Sequence, residues 1–97
     1  MARRRFLLMY DIREDARLRA VHDIARSFGD SLQYSVFVCD LSAKELAELR
    51  GLLADAIHPS VDSVAIVDLG PAEASSRTRF FFLGQHPPLP ASIARVV

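Results

Sequence analysis

The spacing of apolar positions changes character several times along the 97 residues. Residues 4–12 are apolar on both alternating sides, with Phe6, Leu8 and Tyr10 on one side and Leu7 and Met9 on the other. A strand that is apolar on both faces belongs in the middle of a sheet. This one ends on Asp11, a carboxylate for which a buried strand has little use unless it sits at the end and binds something. Glu14 and Asp15 then favour a helix start through the dipole, and Leu18, Val21, Ala25 and Phe28 form one stripe, which predicts a helix over 14–28 with Gly29 as its stop. Residues 32–41, rich in Tyr, Val and Phe, return as a strand. Ser42-Ala43-Lys44-Glu45 has the capping-box pattern ahead of Leu46, Leu49, Leu53 and Ile57, so a second helix is expected over 43–57, ended by His58-Pro59. A third strand is predicted over 61–69 and a shorter fourth over 79–84, beyond a polar loop. Read plainly the order is β-α-β-α-β-β, one hairpin strand short of the split β-α-β-β-α-β arrangement.

Length and composition add bounds. A chain of 97 residues with 51% hydrophobic and 25% charged residues suits one globular domain. So small a domain buries only about 60–65% of its unfolded surface, which makes association with another copy an expected source of stability. Pro87, Pro88 and Pro90 rule out a regular helix or central strand near the C-terminus, and set 87–97, where Ile93 to Val97 could add an edge strand to a second copy, apart from a domain over 1–86. No apolar run is long enough for a membrane span, and the single Cys39 fits a cytoplasmic, reducing setting.

Net charge is zero, from 12 basic and 12 acidic residues, yet the distribution is uneven. Residues 1–26 carry seven arginines against four acids, and residues 40–73 carry seven acids against Lys44 and Arg50. If those segments lie apart, the surface has one basic and one acidic region. Arginine is the residue suited to bidentate phosphate contacts, and Arg13, Arg17 and Arg19 follow closely on Asp11. No His pair has metal-ligand spacing and no Gly-rich phosphate loop exists, so Asp11 is left as the candidate for chemistry. One carboxylate is few for a cation site, but two-fold symmetry would bring two copies of it together. The competing reading is that Asp11 only caps the first helix near Arg13 and Glu14.

Tyr10-Asp11-Ile12, the acidic pair Glu14-Asp15, Gly29, the run Gln33 to Phe37 and Leu83-Gly84 occur in an order and spacing that resembles the Cas2 family of small CRISPR-associated proteins, companions of the CRISPR integrase. The resemblance implies an α+β, ferredoxin-like fold, with an antiparallel sheet and two helices on one face, and a C-terminal arm, here 87–97, that packs on the partner chain. It also implies a homodimer in which Asp11 of each chain shares Mg²⁺ or Mn²⁺ and cuts RNA or DNA phosphodiesters during spacer acquisition. Two other roles stay open: a non-catalytic adaptor that bridges integrase subunits and DNA, and an unrelated ferredoxin-like module that binds a small molecule.

Overall fold

A computed structural model describes residues 2–73 and 80–85, and the backbone of 95–96. Strand β1 (Arg4–Asp11) is followed by helix α1 (Asp15–Phe28), the hairpin strands β2 (Asp30–Gln33) and β3 (Val36–Leu41), helix α2 (Ala43–Ala56) and strand β4 (Ser63–Pro71). Short strands β5 (Phe81–Phe82) and β6 (Arg95–Val96) come last. The first four strands form an antiparallel sheet in the order β2-β3-β1-β4, so β1 is central, as its two apolar faces require. This is the ferredoxin-like β-α-β-β-α-β arrangement. Strands β5 and β6 pair in parallel within the same chain, whereas the expected arm at 87–97 otherwise lies outside the described residues. No helix among the described residues is long and apolar enough to cross a membrane.

The strand expected over 32–41 is two strands, and this supplies the missing hairpin. Tyr34 and Ser35 form the turn between β2 and β3, closed by the Gln33 and Val36 pair. The usual markers of a two-residue hairpin, Asn-Gly or Gly-Gly, serve turns with positive φ. No non-glycine residue described has positive φ, so this turn is of another type and needs no glycine. A register shift between Ser31 and Gln33 absorbs the mismatch in twist. Strand β4 begins two residues later than expected because the N–H groups of Val61 and Asp62 both donate to the His58 carbonyl, at 3.0 and 2.8 Å, closing a turn after α2.

Both helices cover one face of the sheet. Phe6, Leu8 and Tyr10 of β1, Phe37, Cys39 and Leu41 of β3, Val21 and Ala25 of α1, and Leu49 and Leu53 of α2 make the main core. Helix α2 starts with the expected capping box: Ser42 accepts from the Glu45 N–H, and Glu45 accepts from the Ser42 N–H. Gly29 ends α1 in extended backbone, so its role is room rather than a left-handed conformation. A Cβ there would collide with the Val38 carbonyl oxygen and sit 2.5 Å from Cys39 Sγ. Opposite the helices, Leu32 and Val38 are buried beneath Leu7, Val36, Phe80 and Phe82, while Val67, Phe81 and Leu83 stay exposed.

One polar contact ties the loops at the Asp11 end of the sheet. The Asp62 carboxylate, with no exposed side-chain surface, accepts from the backbone N–H of Arg13 (2.9 Å) and of His58 (2.8 Å). Nε of Arg17 donates to it at 2.7 Å and Nη2 at 3.3 Å. The chain leaving β1, the first turn of α1 and the turn after α2 are thus fastened to one side chain. The Arg17 guanidinium first, then these backbone donors, hold the Asp62 carboxyl well below the usual carboxylate range against the opposing effect of burial.

Two predictions rest on this packing. Gly29→Ala should lower stability by about 1–3 kcal/mol in urea denaturation through overpacking, whereas Gly51→Ala, where an added Cβ meets nothing within 4 Å, should raise it by about 0.5–1 kcal/mol. Equal stability for the two would contradict the close approach at Gly29. For Asp62 the folded carboxyl titrates below its unfolded value, so its contribution is full above about pH 4 and is lost as pH falls below that. Asp62→Asn should therefore unfold at lower urea concentration at pH 7, with the gap to wild type narrowing between about pH 4 and pH 2. A gap constant across that window would contradict the role of the charge.

Candidate functional site

Asp11 is the last residue of β1, paired with Ser63 at the start of β4, where the backbone leaves the sheet. Its side chain is 64% exposed and is not a helix cap. The N-cap of α1 is Glu14, whose carboxylate accepts from the N–H of Ala16 (3.1 Å) and Arg17 (2.9 Å) and is thereby held below its ordinary pKa. The Arg13 N–H, the donor that a capping Asp11 would have taken, goes to Asp62 instead. Asp11 is left with an ion pair, Oδ2 to Nη2 of Arg13 at 3.2 Å, between two well-exposed side chains. A carboxylate in this position has an open coordination sphere and already attracts a cation.

The three arginines expected beside it separate into different roles. Arg13 lies against Asp11 and is 66% exposed. Arg17 is engaged by Asp62 and has only 28% of its side chain exposed. Arg19 is exposed on α1 and makes no side-chain hydrogen bond or ion pair among the described residues. The expected division into a basic and an acidic region does not hold for most of the chain, because β1 lies between β3 and β4 and brings the two segments together. Arg3 pairs with Glu45 at 2.6 Å and Arg4 with Asp68 at 2.9 Å. Arg5, 3% exposed, makes a two-pronged pair with Asp40 at 2.7 Å on each prong. Arg17 pairs with Asp62.

Tyr10, one residue before Asp11, is a core side chain with a polar end. Its hydroxyl donates to the Tyr34 carbonyl at 3.1 Å and lies 2.8 Å from Nδ1 of His22, while its N–H donates to the Ser35 carbonyl at 3.2 Å. Burial and Tyr34 push its pKa up to about 12, so it is a neutral donor at any physiological pH. Burial likewise pushes the Cys39 thiol up to about 12, which makes it a packed, unreactive side chain. Asp62 was missed by sequence reasoning because it fell at the second position of the strand expected over 61–69, where a carboxylate near a strand end has the look of a solvated residue.

Among the described residues no group of three or more His, Cys, Asp and Glu side chains could hold a metal. Asp11 offers one carboxylate per chain. That donor set fits a hard divalent ion such as Mg²⁺, which keeps several waters and takes few protein ligands.

Comparison with known proteins agrees with the fold. The family model described as CRISPR associated protein Cas2 matches residues 4–77. A protein of Geobacter sulfurreducens named CRISPR-associated endoribonuclease Cas2 is 35% identical over 68 residues, 70% of this chain and 72% of its own length. One from Thermodesulfovibrio yellowstonii, CRISPR-associated endoribonuclease Cas2 2, is 38% identical over 64 residues, 66% of this chain and 70% of its own. Among solved structures, a hypothetical protein TT1823 from Thermus thermophilus superposes with a TM-score of 0.75 and 27% identity, covering 89% of this chain and 96% of that one. Cas2 of Streptococcus pyogenes at pH 6.5 gives a TM-score of 0.60 and 27% identity over 64% of this chain and 81% of that one. With the family model matched over residues 4–77, and with relatives more than 30% identical over two thirds of their own length, this chain belongs to the CRISPR-associated Cas2 family.

Proposed function

We propose that this protein is a cytoplasmic, homodimeric, metal-dependent endonuclease of CRISPR adaptation, in which Asp11 from each of two chains binds one Mg²⁺ or Mn²⁺ against an RNA or DNA phosphodiester. The observation that carries the reading is Asp11 itself, an exposed carboxylate at a strand end, beside a loop fixed by Asp62 and with Arg13 as its ion-pair partner among the described residues. The relatives named as endoribonucleases support the same chemistry. A dimer is supported by the apolar sheet face opposite the helices, where Val67, Phe81 and Leu83 are exposed at 41%, 65% and 84%.

In this reading the chain's own residues do three things. Asp11 holds the cation at the mouth of the sheet. Arg13, once Asp11 faces a divalent ion, is free to turn to a phosphate oxygen, for which its planar fork is suited. Asp62 keeps the backbone between them from shifting. The ion, when bound, supplies a water of lowered pKa and neutralises charge developing on the phosphodiester.

An adaptor role toward integrase subunits and DNA is compatible with the same molecule and is favoured by the exposed apolar side chains of Phe81 and Leu83, which would suit a protein partner. The two roles differ in what Asp11 does. With labelled RNA and duplex DNA, wild type should cut in Mg²⁺ or Mn²⁺ and not in EDTA. Asp11→Asn, checked to have the same oligomeric state by light scattering, should cut more than about 100-fold more slowly, since even the outer partners of a metal commonly carry 10- to 100-fold. Equal rates for both proteins would leave Asp11 outside the chemistry and the adaptor role standing.

A further inference from the structure

With Arg3, Arg4, Arg5 and Arg17 engaged by carboxylates of the other segment, and Arg13 by Asp11, the arginines of residues 1–26 without a side-chain hydrogen bond or ion pair among the described residues are Arg19 and Arg26. Both are exposed on α1, and they flank His22 at three positions before and four positions after it. That spacing puts all three side chains on one stripe, with the two arginines about 10 Å apart along the axis.

Beside His22 stands Tyr34. The two rings stack with centroids 4.8 Å apart and planes inclined at 19°. His22 is backed in turn by Phe37, edge to face at 5.5 Å, so the stack is anchored in the core. The backbone of Tyr34 is pinned from below by the Tyr10 hydroxyl at its carbonyl. Tyr34 is nevertheless 61% exposed. A rigid aromatic ring on a fixed turn, one face covered by an imidazole and the other open to solvent, is the arrangement on which an unstacked base is received. A hairpin turn has no need of such a residue, since small polar residues serve it better.

We propose that the outer face of Tyr34 is a stacking platform for an unpaired base of single-stranded RNA or DNA, with Arg19 and Arg26 taking the phosphates on either side. This deepens the nucleic-acid reading above and rests on it. Its place in the fold gives it a purpose: Tyr10, which holds the Tyr34 carbonyl, immediately precedes Asp11, so a strand with one base on Tyr34 runs past the end of β1. Stacking reads no sugar, so RNA and DNA strands should bind alike. A blunt duplex has no unstacked interior base to offer and should be indifferent to Tyr34.

The test is binding of fluorescently labelled single-stranded RNA, single-stranded DNA and blunt duplex DNA to the full chain in EDTA, where cleavage is suppressed, read by anisotropy. Tyr34→Leu should weaken single-strand binding by about 5- to 100-fold and leave duplex binding within about twofold, while Tyr34→Phe, which keeps the ring, should bind like wild type. Arg19→Gln together with Arg26→Gln should flatten the salt dependence of single-strand binding. Circular dichroism establishes that each variant is folded. Single-strand affinity unchanged in Tyr34→Leu, or lost equally for duplex, or lost equally in Tyr34→Phe, overturns the platform alone. Wild type that binds none of the three nucleic acids overturns the nucleic-acid reading with it.

Discussion

The arrangement of the Asp11 end of the sheet depends on one buried carboxylate. Asp62 gathers the backbone N–H of Arg13, the backbone N–H of His58 and the guanidinium of Arg17. A buried charge is tolerated only when its oxygens are filled with donors, and here both are. The consequence reaches Asp11, because the donor that would have made it a helix cap has been taken. Glu14 fills the capping position instead. Asp11 is thereby left exposed at the end of a rigid central strand, in the one state in which a carboxylate is useful to a cation.

The same logic of pairing shapes the rest of the surface. A chain with balanced charge could have presented a broad basic face, yet the sheet order places β1 between the strands that carry Asp40 and Asp68. Most N-terminal arginines are neutralised in place, and exposed pairs such as Arg4 with Asp68 add little stability while removing free positive charge. Of the arginines in residues 1–26, Arg19 and Arg26 on the outer stripe of α1 are left without a side-chain hydrogen bond or ion pair among the described residues.

Much of the fold was legible in the sequence. The doubly apolar β1, the stripe of Leu18, Val21, Ala25 and Phe28, and the capping box at Ser42 each carry a local physical signal, and each forms the element it predicts. The hairpin at Tyr34 and Ser35 was not legible, because its turn avoids positive φ and so carries no glycine or asparagine to mark it. Gly29 was read as a helix stop, but its necessity comes from the close approach of β3, a tertiary fact. At the site, Asp11 stood out because a carboxylate at the end of an apolar strand is unusual. Asp62 did not, because its partners lie 45 and 49 residues away in sequence.

The central claim is that Asp11 is a cation ligand shared between two chains. The most direct measurement is the stoichiometry of Mn²⁺ binding to the purified protein by isothermal calorimetry, supported by the electron paramagnetic resonance of the bound ion. The account predicts one ion for every two chains, absent from Asp11→Asn. One ion per chain, or binding that survives that substitution, would contradict it.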